Sequence, residues 1–114
     1  MRQIAIDLPD RPEYKHPSAW AVQEARRLVT EFVAGKGVRA FLFGSRADGS
    51  AKPFSDLDIA LSAGESPVLG GLMARLSEAF EDSRIPFDVD LVDLYYATPG
   101  FKRAIEEEGT EWTA

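Results

Sequence analysis

The chain has 114 residues, of which 45% are hydrophobic and 28% are charged. This is the size of one globular domain, because domains most often hold roughly 100–150 residues. The absence of cysteine excludes disulfides, thiolate metal sites and a cysteine nucleophile. No apolar run reaches the ~18 residues of a membrane span, and no signal peptide is evident, so we expect a cytoplasmic protein that does not enter a membrane.

The net charge of −6 is unevenly distributed along the chain. Residues 1–77 carry ten basic and nine acidic side chains, whereas residues 78–114 carry three basic and ten acidic ones. An acidic chain does not attract a phosphate backbone through its overall field, so we expect no direct nucleic-acid partner. An anionic ligand therefore has to be bound by a local feature of the site, such as a metal ion, a helix N-terminus or a few arginine side chains.

The predicted elements alternate between strands and helices along the chain. Strands are predicted at residues 2–8, 38–43, 56–61 and 87–94, and helices at residues 18–34 (Ser18 as N-cap), from Ser66–Pro67 to about Asp82, and from Thr98–Pro99 to Gly109. This order favours an α/β (α+β) fold with a small mixed sheet backed by helices. We divide the chain into a lead-in with many prolines, residues 1–17, and a domain at residues 18–114.

Two aspartates share one face of the predicted strand at residues 56–61. The two-residue period of a strand places Asp56 and Asp58 on one side, while Leu57 and its alternate neighbours face the core. Aspartate is a poor strand former, and conflicts of this kind concentrate at functional sites. The alternative is an ordinary solvent-facing side of an edge strand.

A third carboxylate comes from the next predicted strand. Asp88 and Asp90 share a parity there, and either faces Asp56 and Asp58 if the two strands are neighbours. Three carboxylates at one place repel one another unless a divalent metal is bound or one group holds a proton. Oxygen ligands without cysteine or histidine select a hard ion such as Mg²⁺, and two such ions held by carboxylates are typical of enzymes of phosphoryl and nucleotidyl transfer.

Gly44, Ser45 and Arg46 directly follow the predicted strand at residues 38–43. If a helical turn begins at Ser45, its backbone N–H groups form an anion site, and Gly44 lets phosphates approach the backbone. The sequence is not a Walker A loop, because no Gly-Lys-Ser/Thr follows. Taken alone, Gly-Ser after a strand is most often an ordinary turn.

Together these residues resemble the G-S-x10-D-x-D signature of the DNA polymerase β-like nucleotidyltransferase superfamily. Ten residues separate Ser45 from Asp56, and the segment around Asp90 resembles the remainder of a minimal nucleotidyltransferase domain. The resemblance covers roughly residues 18–112 and is closest to the antitoxin type of these minimal domains. It implies that Asp56, Asp58 and Asp90 are the catalytic, metal-binding carboxylates.

The resemblance also implies a mechanism with ATP as substrate and two Mg²⁺ ions. Gly44 and Ser45 hold the β- and γ-phosphates, with Arg46 and Lys52 as the nearest cations, and a hydroxyl attacks the α-phosphorus while pyrophosphate leaves. Asp90 is also a candidate general base. We expect Asp88 to be a supporting or solvent-facing carboxylate and Asp93 a strand-end residue of opposite parity.

The implied partner is a HEPN-type RNase toxin, to which relatives of this type transfer AMP on a tyrosine, acting as antitoxins. The chain is too short to contain an acceptor-binding domain, and its acidic last third suits a basic protein partner. Two alternatives remain: an antitoxin of the same fold that inhibits by contact without catalysis, and an independent enzyme acting on a small acceptor such as an aminoglycoside, with a homodimer completing the pocket.

Two other readings of the aspartates fit the residues less well. A haloacid-dehalogenase phosphatase needs threonine or valine two places beyond the second aspartate, where this chain has Ala60. A Ca²⁺ loop of the EF-hand type would need an oxygen ligand at Lys52.

Overall fold

The computed structural model describes residues 17–52 and 55–114. The predicted strand at residues 2–8, and the lead-in apart from its last residue, lie outside the described residues. The helices are α1 (Pro17–Val33), α2 (Ser45–Asp48), α3 (Gly70–Glu81) and α4 (Pro99–Glu108), and a 3₁₀ helix covers Leu94–Tyr96. The strands are β1 (Arg39–Phe43), β2 (Leu57–Ser62), β3 (Val89–Asp93) and β4 (Thr110–Glu111). None of the described helices is long and apolar enough to cross a membrane.

Within the described residues the strands form one mixed sheet in the order β3-β2-β1-β4. β1 is antiparallel to both β2 and β4, and β2 is parallel to β3. A parallel pair needs a crossover connection, which α3 provides between the two strands. The predicted fold class, a small mixed sheet backed by helices, is confirmed.

The two faces of the sheet carry two separate apolar clusters. The larger one lies where α1 and α3 cover the sheet, and its fully buried members include Ala21, Ala25, Val29, Leu57, Ile59, Leu61 and Leu76. The smaller one lies on the opposite face, where α4 and the 3₁₀ helix pack, and its buried members are Phe41, Ala60, Leu94 and Ile105. The second face is covered less extensively, which leaves room there for a site.

α3 begins later than the sequence predicts. Ser66 and Pro67 are the predicted cap and first residue, whereas the helix starts at Gly70. The N–H of Val68 donates to Asp93 Oδ2 at 2.8 Å, and the Val68 side chain is buried. This tertiary contact fixes the segment against the end of β3, so the helix begins after it.

α4 begins and ends as predicted. The Thr98 hydroxyl oxygen accepts a hydrogen bond from the Phe101 N–H at 3.2 Å, and Pro99 is the first helical residue. Gly109 ends the helix, and a Cβ there would lie 2.6 Å from the Ile105 carbonyl oxygen. The turn from α4 into β4 therefore requires glycine because of close backbone approach.

The other boundaries differ by one or two residues. Ser18 lies inside α1, which begins at Pro17, so it is not the predicted N-cap. β1 begins at Arg39 instead of residue 38, and β3 covers Val89–Asp93 within the predicted 87–94.

A bidentate ion pair joins β1 to β4. Arg39 Nε and Nη2 donate to Glu111 Oε2 and Oε1 at 3.1 and 2.9 Å. These bonds, together with one from the Thr113 hydroxyl, hold the pKa of Glu111 below its usual range. Because the folded-state pKa is lowered, the stabilisation is present above the ordinary value of 4.5 and is lost as the pH falls through the lowered pKa.

We expect Glu111→Gln to lower the melting temperature by about 1–3 °C near pH 7, since exposed ion pairs contribute little. The difference between variant and wild type should shrink as the pH falls below the ordinary glutamate pKa. Thermal unfolding of both proteins across this range measures it. A difference that stays constant with pH would contradict the assignment.

Candidate active site

The sheet places two of the three predicted carboxylates side by side. Asp58 in β2 and Asp90 in β3 are direct partners in the parallel ladder. Leu57 and Ile59, on either side of Asp58, point into the larger core, so both carboxylates lie on the opposite face. The two strands are therefore neighbours, which is the condition that the sequence argument left open, whereas metal binding by the two aspartates stays a prediction.

Asp56 lies one residue before β2, so its predicted place inside the strand is wrong. The strand begins at Leu57, whose N–H donates to the Asp88 carbonyl oxygen at 2.9 Å. Asp56 stands outside this ladder and is exposed. In the described part of the chain, no three carboxylate or imidazole groups form a ready metal-binding cluster. Asp56 therefore has to approach Asp58 and Asp90 for all three to bind one ion.

The position of Asp58 is unfavourable for a negative charge. Burial raises its pKa, and the charges of Asp90 and Asp56 raise it further. Like charges directly opposite one another destabilise a sheet, so this arrangement favours a bound cation. Carboxylate oxygens are the ligands that Mg²⁺ prefers, and the residues present fit the predicted ion.

β1 leads directly into the predicted phosphate-binding turn. Phe43, its last residue, is the partner of Asp58 in the antiparallel ladder. Gly44 follows with φ 74° and ψ −156°, and α2 starts at Ser45, which confirms the predicted helical turn. A Cβ on Gly44 would collide with Asp58 Oδ2. Glycine is therefore required here to leave room for the carboxylate.

The two predicted phosphate cations differ in their surroundings. The Lys52 side chain is exposed. Arg46 donates from Nε and Nη2 to the Ser55 carbonyl oxygen at 3.0 and 2.7 Å. Its guanidinium carbon also lies 4.2 Å from the centroid of the Phe87 ring. The Arg46 side chain is thus hydrogen-bonded to Ser55, the residue that precedes Asp56.

Asp88 and Asp93 have different structural positions. Asp93 has the predicted parity at the end of β3, where its carboxylate accepts hydrogen bonds from the N–H groups of Val68 and Tyr95 at 2.8 and 3.0 Å. Asp88 supports β2 through its carbonyl, while its side chain is exposed. Asp93 therefore holds the fold, and Asp88 contributes backbone at the edge of the site.

Two cavities lie at the candidate site, one lined by aspartates of the site and one beside Gly44. One of about 460 Å³ lies between α3 and β3, and its walls include Asp56, Asp88 and Asp90 together with Phe80, Ile85, Phe87, Val89 and Leu91. A smaller one of about 250 Å³ lies beside Gly44. In its wall the rings of Phe43 and Phe101 meet edge to face with centroids 5.7 Å apart.

From the sequence we assign no role at this site to Ser55, Phe87, Phe43 or Phe101. Ser55 accepts hydrogen bonds from Arg46 through its backbone carbonyl oxygen, and the identity of a side chain does not predict such a backbone contact. The phenylalanines flank the motif residues in sequence, and this adjacency is the one signal that could have found Phe43 and Phe87. Phe101 reaches the site only through the packing of α4 on β1.

A protein-family model described as polymerase beta, nucleotidyltransferase, matches residues 34–111. Over 65 residues the chain is 42% identical to a Haemophilus influenzae protein named "Probable protein adenylyltransferase MntA". That match covers 57% of this chain and 56% of the relative, so the chain spans about half the length of this curated relative.

Two solved structures share the fold. One, described as a candidate minimal nucleotidyltransferase, is 28% identical with a TM-score of 0.64, over 82% of this chain and 95% of that one. The other, described as a toxin-antitoxin with AMP-PNP, is 24% identical with a TM-score of 0.59, over 76% of this chain and 71% of that one.

Proposed function

The chain belongs to the polymerase beta nucleotidyltransferase family, and from this premise we propose that it transfers AMP from ATP to a hydroxyl group. The observation that carries the proposal is the direct pairing of Asp58 with Asp90 beside the turn at Gly44 and Ser45. Adjacent carboxylates next to a glycine-serine turn combine a place for divalent metal with a place for phosphates. The name of the curated relative supports adenylyl transfer in particular.

Asp56, Asp58 and Asp90 would hold Mg²⁺, with two ions as the expected number. When bound, Mg²⁺ neutralises charge on the phosphates and lowers the pKa of a hydroxyl group. Gly44 and Ser45 would bind the β- and γ-phosphates through backbone N–H groups and the serine hydroxyl. We propose Lys52 as a further phosphate cation, because its side chain is exposed.

Asp90 suits the role of general base because it is exposed on the site face of β3. It would accept the proton of the acceptor hydroxyl. The acceptor oxygen then bonds to the α-phosphorus as the bond to the β-phosphate oxygen breaks. The products are the adenylylated acceptor and pyrophosphate.

The acceptor we propose is a tyrosine of a partner HEPN-type RNase toxin, which the reaction would inactivate. The toxin-antitoxin neighbour in fold and the adenylyltransferase name of the curated relative support a protein acceptor. The excess of acidic residues in 78–114 also suits a basic partner. A cytoplasmic location is consistent with the use of ATP and stays a prediction.

Incubation of the chain with α-labelled ATP, Mg²⁺ and the proposed HEPN partner tests the proposal. We expect label on the partner, and a loss of about 100-fold or more in Asp56→Asn because a metal ligand is removed. Asp88→Asn is the matched control. Asp88 is one of four neighbouring aspartates, with Asp56, Asp58 and Asp90, and its side chain is exposed, but we assign that side chain no part in metal or phosphate binding.

Absence of label on the toxin with the wild-type protein would refute adenylyl transfer to this partner, and label that survives Asp56→Asn would refute the assignment of Asp56 as a metal ligand. If Asp56→Asn fails to label the toxin and still neutralises it, inhibition by contact is the function instead. Label on an added aminoglycoside, with none on the toxin, would indicate the small-acceptor enzyme.

A further inference from the structure

Arg46 joins the three chain segments that carry the candidate site. It is the second residue of α2, two residues after Gly44. Its Nε and Nη2 both donate to the Ser55 carbonyl oxygen, and Ser55 immediately precedes Asp56. The guanidinium also lies over Phe87, which belongs to the segment that leads into β3. One side chain therefore links the turn at Gly44 and Ser45 to the loop before β2 and to the segment before β3.

Both contacts depend on the planar guanidinium of Arg46. Two N–H groups converge on the Ser55 carbonyl oxygen, and the guanidinium lies over the Phe87 ring. Lysine has the same charge but neither the planar face nor the paired donors. The substitution Arg46→Lys thus keeps the positive charge and removes the planar group that makes both contacts.

Asp56 needs support of this kind because the sheet does not hold it. It precedes β2, and the nearest ladder bond on its C-terminal side is that of Leu57 with the Asp88 carbonyl. The like charge of Asp58 repels it when no cation is bound. On its N-terminal side, the Ser55 carbonyl is held by Arg46. The backbone of Asp56 is therefore fixed between these two hydrogen-bonded positions.

We infer that Arg46 is a positioning residue, which fixes the backbone at Ser55 so that Asp56 can join Asp58 and Asp90 around a divalent cation. This role replaces that of the phosphate cation predicted from the sequence. The inference rests on the proposed function for its catalytic consequence, whereas cation binding can be measured without catalysis.

The test compares the wild-type chain of 114 residues with its Arg46→Lys and Arg39→Lys variants. Arg39 is a matched control, because it also makes a bidentate contact and lies over a ring, that of Phe41, with 4.9 Å to the centroid. It stands at the opposite end of β1 from Phe43. The readouts are Mn²⁺ binding by electron paramagnetic resonance without nucleotide, the half-saturating Mg²⁺ for transfer, and the KM for ATP at saturating Mg²⁺.

We expect Arg46→Lys to weaken Mn²⁺ binding and to raise the half-saturating Mg²⁺ by about 10-fold or more, as loss of a residue that orients a metal ligand does. The KM for ATP at saturating Mg²⁺ should stay within about twofold, because the charge is kept and the phosphates are bound elsewhere. Arg39→Lys should leave Mn²⁺ binding unchanged.

Unchanged Mn²⁺ binding in Arg46→Lys, with a raised KM for ATP, would overturn the inference in favour of a phosphate cation. If Arg46→Lys does not fold, Phe87→Leu removes the ring and keeps the arginine, and wild-type Mn²⁺ affinity in that variant would overturn it too. Weaker Mn²⁺ binding in Arg46→Lys, combined with no transfer by the wild type, would support the positioning role and refute the proposed function alone.

Discussion

Replacing Gly44 by alanine is expected to lower the free energy of unfolding by about 2–4 kcal/mol and to reduce transfer about 100-fold or more. The backbone of Gly44, at φ 74° and ψ −156°, occupies a region that only glycine adopts readily, which alone costs about 1–3 kcal/mol for another residue. The added Cβ would also collide with Asp58 Oδ2. A displacement of that carboxylate by about 1 Å suffices for the loss of activity.

The variant Gly49→Ala is the control for Gly44→Ala, because it introduces backbone strain without a collision of the new Cβ with Asp58. Gly49 also has positive φ, 82°, but no atom lies within 4 Å of the position that its Cβ would take. We expect this variant to lose about 1–2 kcal/mol of stability and to keep transfer close to the wild-type level. Denaturant unfolding and labelled transfer of both variants measure the two effects. An equal loss of transfer in both would show that strain around α2, and not the Asp58 contact, determines activity.

The spacing of apolar residues was sufficient to predict which face of β2 holds Asp58. Leu57, Ile59 and Leu61 are fully buried on the other side, and alternation along a strand reports this directly. Periodicity likewise places Asp90 between the partly buried Val89 and Leu91. It left open whether β3 is the neighbour of β2, which the ladder between the two strands shows. Periodicity thus determines the face of a carboxylate, and the sheet topology determines its neighbours.

Contacts distant in sequence determine what periodicity cannot predict. β2 begins at Leu57, and not at Asp56, because its first hydrogen bond goes to the Asp88 carbonyl, thirty-one positions further along the chain. Part of the requirement for glycine at position 44 comes from Asp58, which a Cβ there would meet, and this contact adds to the strain of the positive φ. A carbonyl acceptor such as that of Ser55 exists at every residue, so nothing in the sequence marks it as the partner of Arg46.

Asp58→Asn is expected to abolish transfer and yet to raise the melting temperature of the metal-free protein by about 2–5 °C. Asp58 is the direct partner of Asp90 in the ladder, and its charged form is disfavoured by burial and by the charges of Asp90 and Asp56. Asparagine has the same shape without the charge, so the repulsion between directly opposed like charges is removed, with a gain of up to about 1 kcal/mol. Asp88→Asn, at an exposed position, should leave the melting temperature unchanged.

The difference in melting temperature between Asp58→Asn and the wild type should depend on pH and on Mg²⁺, and this dependence tests whether it arises at the candidate site. Because the pKa of Asp58 is raised in the folded state, the metal-free wild type is favoured at low pH, and this stabilisation is lost as the pH rises through the raised pKa. The advantage of Asp58→Asn should therefore grow from acidic to neutral pH. Saturating Mg²⁺ should raise the melting temperature of the wild type and not that of the variant, because a ligand stabilises only the form that binds it. Thermal unfolding across pH, with and without Mg²⁺, measures this, and an equal Mg²⁺ response in both proteins would exclude Asp58 as a metal ligand.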